Sequence, residues 1–168
     1  MAVLVTGAAG YIGSHTAVAL LNSGHKVIIV DNLDNSKDSV AMGIHKIAKS
    51  NFEFFKVDVK DYGKLSSISN LSQCDGIIHF AAKKSVPESL QNPLIYYQDN
   101  ITGLVNLLSL AEKFKIPNFI FSSSCTVYGT PNQLPVTHES LTQESATPYG
   151  NTKRWGEEII QEYTGLKN

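Results

Sequence analysis

Long apolar runs, closely spaced cysteines and a strong net charge are all absent from this sequence of 168 residues. No apolar stretch approaches the roughly 20 residues that a membrane-spanning helix needs, and no basic segment precedes an apolar one at the N-terminus. We therefore expect no membrane partner and no cleaved leader. The formal net charge of -1 also argues against nucleic acid as a partner.

Cysteine and histidine are too sparse to suggest a metal or redox protein. Cys74 and Cys125 stand far apart and outside any Cys-x-x-Cys arrangement, which is typical of a reducing compartment and predicts a cytoplasmic protein. No two histidines have metal-ligand spacing, so no metal site is expected. We expect Cys125 to be a small packing residue, His15 to pack on the first helix and His79 to be a buried strand residue.

The chain opens with the pattern of a strand that leads through a glycine-rich turn into a helix. Residues 2–5 form a short apolar run with β-branched members, which predicts a buried strand. From Tyr11 onward a helical pattern follows, and Gly24 ends it. Residues recurring at steps of three and four define this pattern: Ile12, Thr16, Leu20 and Leu21.

Three glycines lie between this strand and this helix, at positions 7, 10 and 13. Free backbone N–H groups and the positive end of the helix dipole can receive a pyrophosphate there. Gly7 allows a tight turn, Gly10 lets a phosphate approach, and Gly13 lets the helix pack on the strand. The spacing Gly-x-x-Gly-x-x-Gly also occurs in ordinary turns, so context must decide.

The second strand supplies that context. Residues 27–30 are apolar and end at Asp31, whose carboxylate can accept both adenosine ribose hydroxyls and would repel a 2′-phosphate. Asn32 and Leu33 follow with no Arg or Lys beside them. The pattern favours NAD over NADP, and the alternative is that Asp31 is a plain turn residue.

Strands and helices alternate along the remaining chain. We predict strands at 52–57, 76–80 and 119–122, and helices at 38–49, 61–71, 93–114 and 148–163, with Asp61 as an N-cap and Pro93 in a first helical turn. The face of the 93–114 helix that carries Leu104, Leu107, Leu108 and Ala111 should be core. Such alternation predicts an α/β, doubly wound parallel sheet of Rossmann type with strand order 3-2-1-4-5. A complete sheet of this kind has six or more strands, so residues 1–168 are predicted to form one incomplete dinucleotide-binding domain.

Two clusters of polar residues could carry chemistry. The fifth strand leads into Ser122, Ser123 and Ser124, and the last helix opens with Tyr149 and Lys153 four residues apart, on one helix face. Free tyrosine, with a pKa of roughly 10, is a poor base at neutral pH, but a nearby ammonium stabilises its phenolate. With Ser124 hydrogen-bonding the same substrate hydroxyl, these residues predict a proton-transfer site. Tyr-x-x-x-Lys pairs also arise by chance on solvated helix faces.

In combination, five segments of the sequence resemble the extended short-chain dehydrogenase/reductase family and, within it, the UDP-glucose 4-epimerase branch. They are Val-Thr-Gly-Ala-Ala-Gly-Tyr-Ile-Gly-Ser-His at 5–15, Val-Asp-Asn-Leu at 30–33, His-Phe-Ala-Ala-Lys-Lys-Ser-Val at 79–86, Phe-Ser-Ser-Ser-Cys-Thr-Val-Tyr-Gly at 121–129, and Pro-Tyr-Gly-Asn-Thr-Lys at 148–153. The resemblance implies an enzyme that keeps NAD bound and inverts carbon 4 of UDP-glucose or UDP-galactose through a 4-keto sugar.

The resemblance also implies roles for individual residues. Tyr149, directly or through Ser124, takes the proton of the 4-hydroxyl, and Lys153 holds the nicotinamide ribose. The remaining positions that the resemblance assigns to NAD are Gly7, Gly10, Tyr11, Ile12, Gly13, Asp31, Asn32, Asn35, Ser36, Asp58, Val59, Phe80, Ala81, Ala82, Lys84, Asn100 and Ser122. The family's C-terminal half, which completes the sheet and binds the UDP-sugar, has no counterpart here, so this chain should bind NAD weakly and show little activity alone. The complete protein is expected to be a homodimer through part of the 93–114 helix together with residues 149–163.

Two other functions remain open. A nucleotide-sugar 4,6-dehydratase or decarboxylase of the same family is the first, although a dehydratase is expected to carry Asp-Glu after the position of Ser124, where Cys125 and Thr126 stand. The second is a non-catalytic NAD-sensing module. Such a module has no need of Ser124, Tyr149 and Lys153 together.

Overall fold

A computed structural model describes residues 1–131 and 133–165 of the chain. Five strands and six helices follow one another in these residues, with two short 3-10 helices at Leu71–Gln73 and Cys125–Tyr128. The strands are β1 Ala2–Thr6, β2 Lys26–Asp31, β3 Glu53–Lys56, β4 Gly76–His79 and β5 Asn118–Phe121. The helices are α1 Tyr11–Asn22, α2 Ser39–Ala48, α3 Tyr62–Ser66, α4 Val86–Gln91, α5 Pro93–Phe114 and α6 Pro148–Gly165.

The strands form one parallel sheet in the order β3-β2-β1-β4-β5, which confirms the predicted topology. Thr6, the last residue of β1, pairs with Val30 on one side and with His79 on the other. The carboxyl ends of three neighbouring strands therefore lie at the same edge of the sheet. Ligands of open α/β sheets bind at this edge.

Apolar side chains cover both faces of the sheet, because successive residues of a strand point to opposite sides. Leu4 belongs to one buried cluster, to which α3 and α5 contribute Leu65 and Leu107. Val3 and Val5 belong to the other. That second cluster includes four residues of α1 and α2, namely Ala17, Leu21, Ile44 and Ala48. The predicted core face of α5 is confirmed, since its four named residues are each 5% exposed or less.

The buried face of α1 coincides only in part with the predicted pattern, in which Leu21 is buried and Leu20 packs against the core. Gly13, Ala17 and Leu21 are the buried residues of this helix, whereas Ile12 is 59% exposed. A Cβ on Gly13 would overlap the carbonyl oxygen of Gly7, so the absence of a side chain at this position lets the helix lie against the turn. The closest-packed face is consequently the one with the smallest residues, which a search for large apolar residues misses.

His15 was wrongly predicted to be a packing residue. It is exposed on α1 and makes an edge-on ring contact with Tyr11, whose side chain is 78% exposed. His79 is a buried strand residue as predicted, at 2% exposure, and its Nδ1 lies 2.8 Å from the hydroxyl of Thr6.

The helix predicted at 61–71 is shorter than expected. Asp61 does cap it, because its side chain accepts the Lys64 N–H at 3.0 Å. However, α3 ends at Ser66, and Asn70 has a left-handed backbone with φ of 65° before the short 3-10 helix. Residue-by-residue patterning also missed α4, whose N-cap Ser85 accepts the Glu88 N–H.

The contacts divide the chain into two compact units. The first consists of Met1–Ala82 with Gly103–Ser122 and contains the sheet, and the second consists of Lys83–Thr102 with Ser123–Asn168. Helix α5 contributes residues to both. Among the residues that the structure describes, no helix is long and apolar enough to cross a membrane.

Candidate active site

The glycine-rich turn of the first unit lies between β1 and α1. Gly7 has a φ of 70°, and a Cβ built on it would approach the backbone nitrogen of Ala81 to 2.5 Å. Glycine is needed here both for the backbone angle and for the space. Gly10 is the N-cap of α1 and supplies no side-chain cap. The N–H groups of the first turn of α1 are thus available to an anion.

Asp31, at the end of β2, is 7% exposed and is tied to the glycine-rich turn. One of its carboxylate oxygens, Oδ2, accepts the N–H of Ala9 at 2.9 Å. The other, Oδ1, accepts the N–H of Leu33 at 2.8 Å and lies 3.5 Å from the hydroxyl of Ser36. Ionised carboxylates can accept about four hydrogen bonds, so this one retains acceptor capacity beside the turn. The carboxylate also sets the distance between the turn and the loop after β2.

Two other residues assigned to NAD by resemblance are in contact in this unit. The amide of Asn32 donates to Asp58 Oδ2 at 3.2 Å, and Asp58 Oδ1 accepts the Lys60 N–H at 2.9 Å. Sequence reasoning missed Asn106 on α5, whose amide donates to the carbonyls of Val59 and Lys60 at 3.0 and 2.8 Å. Asn106 therefore holds the loop after β3 at the carboxyl edge of the sheet.

The other predicted NAD residues of this unit follow strand ends or the loop after β2. Phe80 donates its N–H to the carbonyl of Thr6, and Ser122 donates its N–H to that of His79. Both residues thereby extend the parallel ladders past the strand ends. Ala81 and Ala82 follow Phe80 directly, and Asn35 is exposed in the loop after β2.

In the second unit, α6 carries the predicted Tyr149 and Lys153. Tyr149 is half-buried in its first turn, and Lys153 is only 5% exposed. Burial lowers the pKa of the Lys153 ammonium to about 8 from an ordinary value of 10.5. A buried lysine in the turn after a half-buried tyrosine does not lie on a solvated helix face.

Ser124 is the N-cap of the 3-10 helix Cys125–Tyr128. Its Oγ accepts the N–H and the hydroxyl of Thr126 at 3.2 and 2.9 Å. Cys125 was wrongly predicted to be a packing residue, because the short 3-10 helix turns its thiol outward and leaves it exposed. The side chain of Ser123, missed by the sequence reasoning, has a buried hydroxyl with no hydrogen-bond partner among the described residues.

Close contact at Gly150 places the Ser124 segment against the start of α6. A Cβ on Gly150 would lie 3.2 Å from that of Thr126 and would overlap the side chain of Ser145. The absence of a side chain next to Tyr149 therefore brings Ser124, through Thr126, toward the first turn of α6.

Gly150→Ala is expected to destabilise the protein by about 1–3 kcal/mol, because an added methyl in a packed region forces side chains or backbone to shift. Thermal unfolding measures the change. Gly43→Ala is the matched control, since Gly43 lies in α2 with nothing within 4 Å of its added Cβ. That control should gain about 0.5–1 kcal/mol from helix propensity, and equal effects of the two substitutions would contradict the packing argument.

The last two predicted residues lie in the segment before α6. Lys84 is exposed. Asn100 is buried, and its amide donates to the carbonyl of Lys83 and to the hydroxyl of Thr152, both at 3.0 Å, while its oxygen accepts the Lys83 N–H at 2.8 Å. Thr152 in turn donates to the carbonyl of Tyr149 at 2.7 Å. Both N–H groups of the Asn100 amide are thus used within the protein.

Comparisons with known proteins identify the family to which this chain belongs. A family model described as GDP-mannose 4,6 dehydratase matches residues 4–168. UDP-glucose 4-epimerase 2 of Arabidopsis thaliana is 44% identical over 163 residues, which cover 95% of this chain and 46% of the relative. The UDP-glucose 4-epimerase of Bacillus subtilis is 41% identical over 162 residues, covering 96% of this chain and 48% of the relative.

A solved structure shows the same likeness. The UDP-glucose 4-epimerase of Bifidobacterium longum, in complex with NAD+ and UDP, superposes with a TM-score of 0.96 at 38% identity, covering 99% of this chain and 50% of that one. The chain belongs to the family of the GDP-mannose 4,6 dehydratase model. The resemblance to UDP-glucose 4-epimerases that the five sequence segments indicated is confirmed. This chain spans about half the length of these relatives.

Proposed function

We propose that this chain is the cofactor-binding half of an NAD-dependent enzyme that inverts carbon 4 of a UDP-sugar, converting UDP-galactose and UDP-glucose into one another. The observation that carries the proposal is the buried Lys153 one turn after Tyr149 on α6. Relatives and solved neighbours bearing the name UDP-glucose 4-epimerase support the choice of reaction.

In this proposal Tyr149 removes the proton from the 4-hydroxyl of the sugar, and Lys153 as an ammonium stabilises the resulting phenolate charge. Ser124 hydrogen-bonds the same hydroxyl. NAD, when bound, would supply a reversible hydride acceptor for carbon 4 of the sugar. The unpaired hydroxyl of Ser123 supports a ligand group close to Ser124, because buried polar groups are rarely left without a partner.

The first unit fits the dinucleotide. The uncapped first turn of α1 offers N–H groups to the pyrophosphate at Tyr11 and Ile12, and both of these side chains are exposed. Asp31 would hold the adenosine ribose, with Asn32, Asn35, Ser36, Asp58 and Val59 around the adenosine. Phe80, Ala81, Ala82 and Ser122 of the same unit would line the rest of the cofactor. Lys84 and Asn100, assigned to the cofactor by the resemblance, belong to the second unit.

An activity assay tests the proposed reaction. We define the completed chain as this chain continued after its last residue by the C-terminal half of the Bacillus subtilis relative. The completed chain is expected to interconvert UDP-galactose and UDP-glucose with NAD bound, and the 168-residue chain alone is expected to show little turnover. Turnover of UDP-galactose by the short chain would refute the two-part proposal. Release of water from the sugar instead of epimerisation would favour a 4,6-dehydratase.

Asp31→Ala is expected to weaken NAD binding to this chain and to remove the preference for NAD over NADP, because the carboxylate would no longer repel a 2′-phosphate. Calorimetric titration of both dinucleotides measures the two effects. Asp34→Ala is the matched control, since Asp34 is an exposed acid in the same loop. A wild-type preference for NADP would count against the role given to Asp31.

We also propose that the complete enzyme is a cytoplasmic homodimer. Free thiols at both cysteines support a reducing compartment. Support for the dimer comes from the second unit, where Trp155 stacks on Tyr97 with centroids 5.2 Å apart while remaining 39% exposed, and Leu94 is 78% exposed. Sedimentation of the completed chain as a monomer at micromolar concentration would contradict the dimer.

A further inference from the structure

A buried tyrosine that no part of the proposed reaction uses packs against the proposed base. Tyr96 on α5 is 0% exposed, and its ring meets that of Tyr149 edge to face, with centroids 6.4 Å apart and an interplanar angle of 83°. Favourable aromatic pairs have centroids roughly 4.5–7 Å apart in this arrangement. The Tyr149 ring is only half-buried, so this contact restricts a side chain that would otherwise have considerable freedom.

The Tyr96 ring is itself held at its far end by two hydrogen bonds. Its hydroxyl donates to Glu88 Oε2 at 2.7 Å and accepts the N–H of Ser85 at 3.0 Å. Ser85 also caps α4 by accepting the Glu88 N–H. The N-cap residue of α4 and a residue of its first turn therefore both hydrogen-bond the same phenol oxygen. A ring fixed at its hydroxyl has little freedom to tilt, and neither has a ring that packs against it.

The Tyr96 phenol remains protonated under all ordinary conditions. Burial, and next the hydrogen bond to Glu88, raise its pKa to about 12. It consequently remains a donor to Glu88 over the whole pH range in which a tyrosine–lysine pair could work. A phenol whose pKa is raised in this way is a poorer base than an ordinary tyrosine.

We propose that Tyr96 is a positioning residue that, held by Ser85 and Glu88, fixes the orientation of the Tyr149 ring for proton transfer. That this orientation serves proton transfer rests on the proposed function. That Tyr96 orients the Tyr149 ring rests only on the ring contact and the two hydrogen bonds. Proton transfer requires heavy atoms within hydrogen-bond reach, so small changes in ring orientation are expected to affect rate more than substrate binding.

The neighbouring Tyr97 offers a matched control. It is the same residue type on the same helix, but it stacks on Trp155 and makes no ring contact with Tyr149 in the described residues. Tyr97 is less buried than Tyr96, and removing its ring disturbs packing on the same helix and in the same unit without touching the proposed base. A general loss of packing would therefore affect both Tyr96→Leu and Tyr97→Leu. Loss of a positioning role would affect only Tyr96→Leu.

The experiment compares Tyr96→Leu, Tyr96→Phe, Glu88→Ala and Tyr97→Leu by two measurements. The first is NMR of the 168-residue chain with 13C-labelled tyrosine, in which Tyr149→Phe assigns the Tyr149 ring signals. Tyr96→Leu is expected to broaden or split these signals through exchange between orientations. Tyr96→Phe removes both hydrogen bonds of the hydroxyl and Glu88→Ala removes one of them, so both should broaden these signals to a smaller extent. Tyr97→Leu should leave them sharp.

The second measurement is steady-state kinetics of the completed chain. Tyr96→Leu is expected to lower kcat by about tenfold with KM for UDP-galactose unchanged, since misorientation acts in the transition state. Tyr96→Phe should restore most of this loss, and Tyr97→Leu should retain wild-type kcat. Lost packing alone would reduce the amount of folded protein without altering kcat per folded molecule.

Sharp Tyr149 signals in a folded Tyr96→Leu chain, or equal effects of Tyr96→Leu and Tyr97→Leu on kcat, would overturn the inference. If Tyr96→Leu does not fold, Glu88→Ala decides, and unchanged Tyr149 signals there would overturn it equally. Absence of epimerisation by the wild-type completed chain would count against the proposed function instead. The NMR comparison would then still decide whether Tyr96 orients Tyr149.

Discussion

Tyr149→Phe is expected to lower the turnover of UDP-galactose by the completed chain by a factor of about 10² or more, because general-base catalysis contributes factors of this size. Phenylalanine keeps the ring, and with it the edge-to-face contact to Tyr96, but it cannot accept the proton of the 4-hydroxyl. The KM for the sugar should change little. Initial-rate kinetics, with protein folding checked by circular dichroism, measure the effect.

Tyr163→Phe is the matched control, because Tyr163 lies near the other end of the same helix, α6. It should retain wild-type turnover. Near-normal activity in Tyr149→Phe would show that another group takes the proton. Ser124 would then be the next residue to test, since its hydroxyl is positioned by Thr126 at the Gly150 contact.

Lys153→Met is expected to change how protein stability depends on pH. Burial lowers the pKa of Lys153 from 10.5 to about 8 in the folded state. Below pH 8 both the folded and the unfolded chain hold the proton, and the folded chain bears the full cost of a buried ammonium. Between about pH 8 and 10.5 the folded chain releases the proton while the unfolded chain keeps it, so wild-type stability rises with pH relative to the variant.

The free energy of unfolding of Lys153→Met minus that of wild type should therefore fall by at most roughly 3 kcal/mol as pH rises from 7 to above 10.5. Chemical denaturation at several pH values measures this difference. Lys46→Met, which removes an exposed lysine of α2, is the control and should give a flat difference. A flat difference for Lys153→Met as well would mean that the Lys153 ammonium is not destabilised by burial.

The same titration bears on activity. If the charged form of Lys153 stabilises the Tyr149 phenolate, turnover by the completed chain should decline as pH rises above about 8, where the ammonium is lost. Burial of the Lys153 ammonium thus lowers the stability of the folded chain at neutral pH. Such a cost is common at sites where function requires a charge out of water.

Several parts of the fold were predictable because they depend on short-range patterns. Short apolar runs with β-branched residues located the strands, and their alternation with helices determined a parallel sheet with right-handed crossovers. Capping residues and prolines located helix starts at Asp61 and Pro93. These signals act between residues close in the chain, so they can be recognised without coordinates.

Predictions that failed concern which side of an element is buried and how far it extends. The outward-facing Ile12, His15 and Cys125 were misjudged because residue type alone does not show what lies opposite. The end of α3 at Ser66 and the six-residue helix α4 were also missed. What lies opposite an exposed side chain is not recorded in the nearby sequence, whereas Asn70 and the Ser85 cap of α4 are local signals that a search for apolar patterns does not use.

The sequence by itself determined the sheet order, the glycine-rich turn, the acidic end of β2 and the tyrosine–lysine pair, because each depends on spacing along the chain. Only the tertiary structure decided that Lys153 is buried, that Gly150 is needed for contact with Thr126, and that the Tyr149 ring rests against Tyr96. Burial and ring contact arise between segments distant in sequence. Their geometry is defined only when the chain has folded.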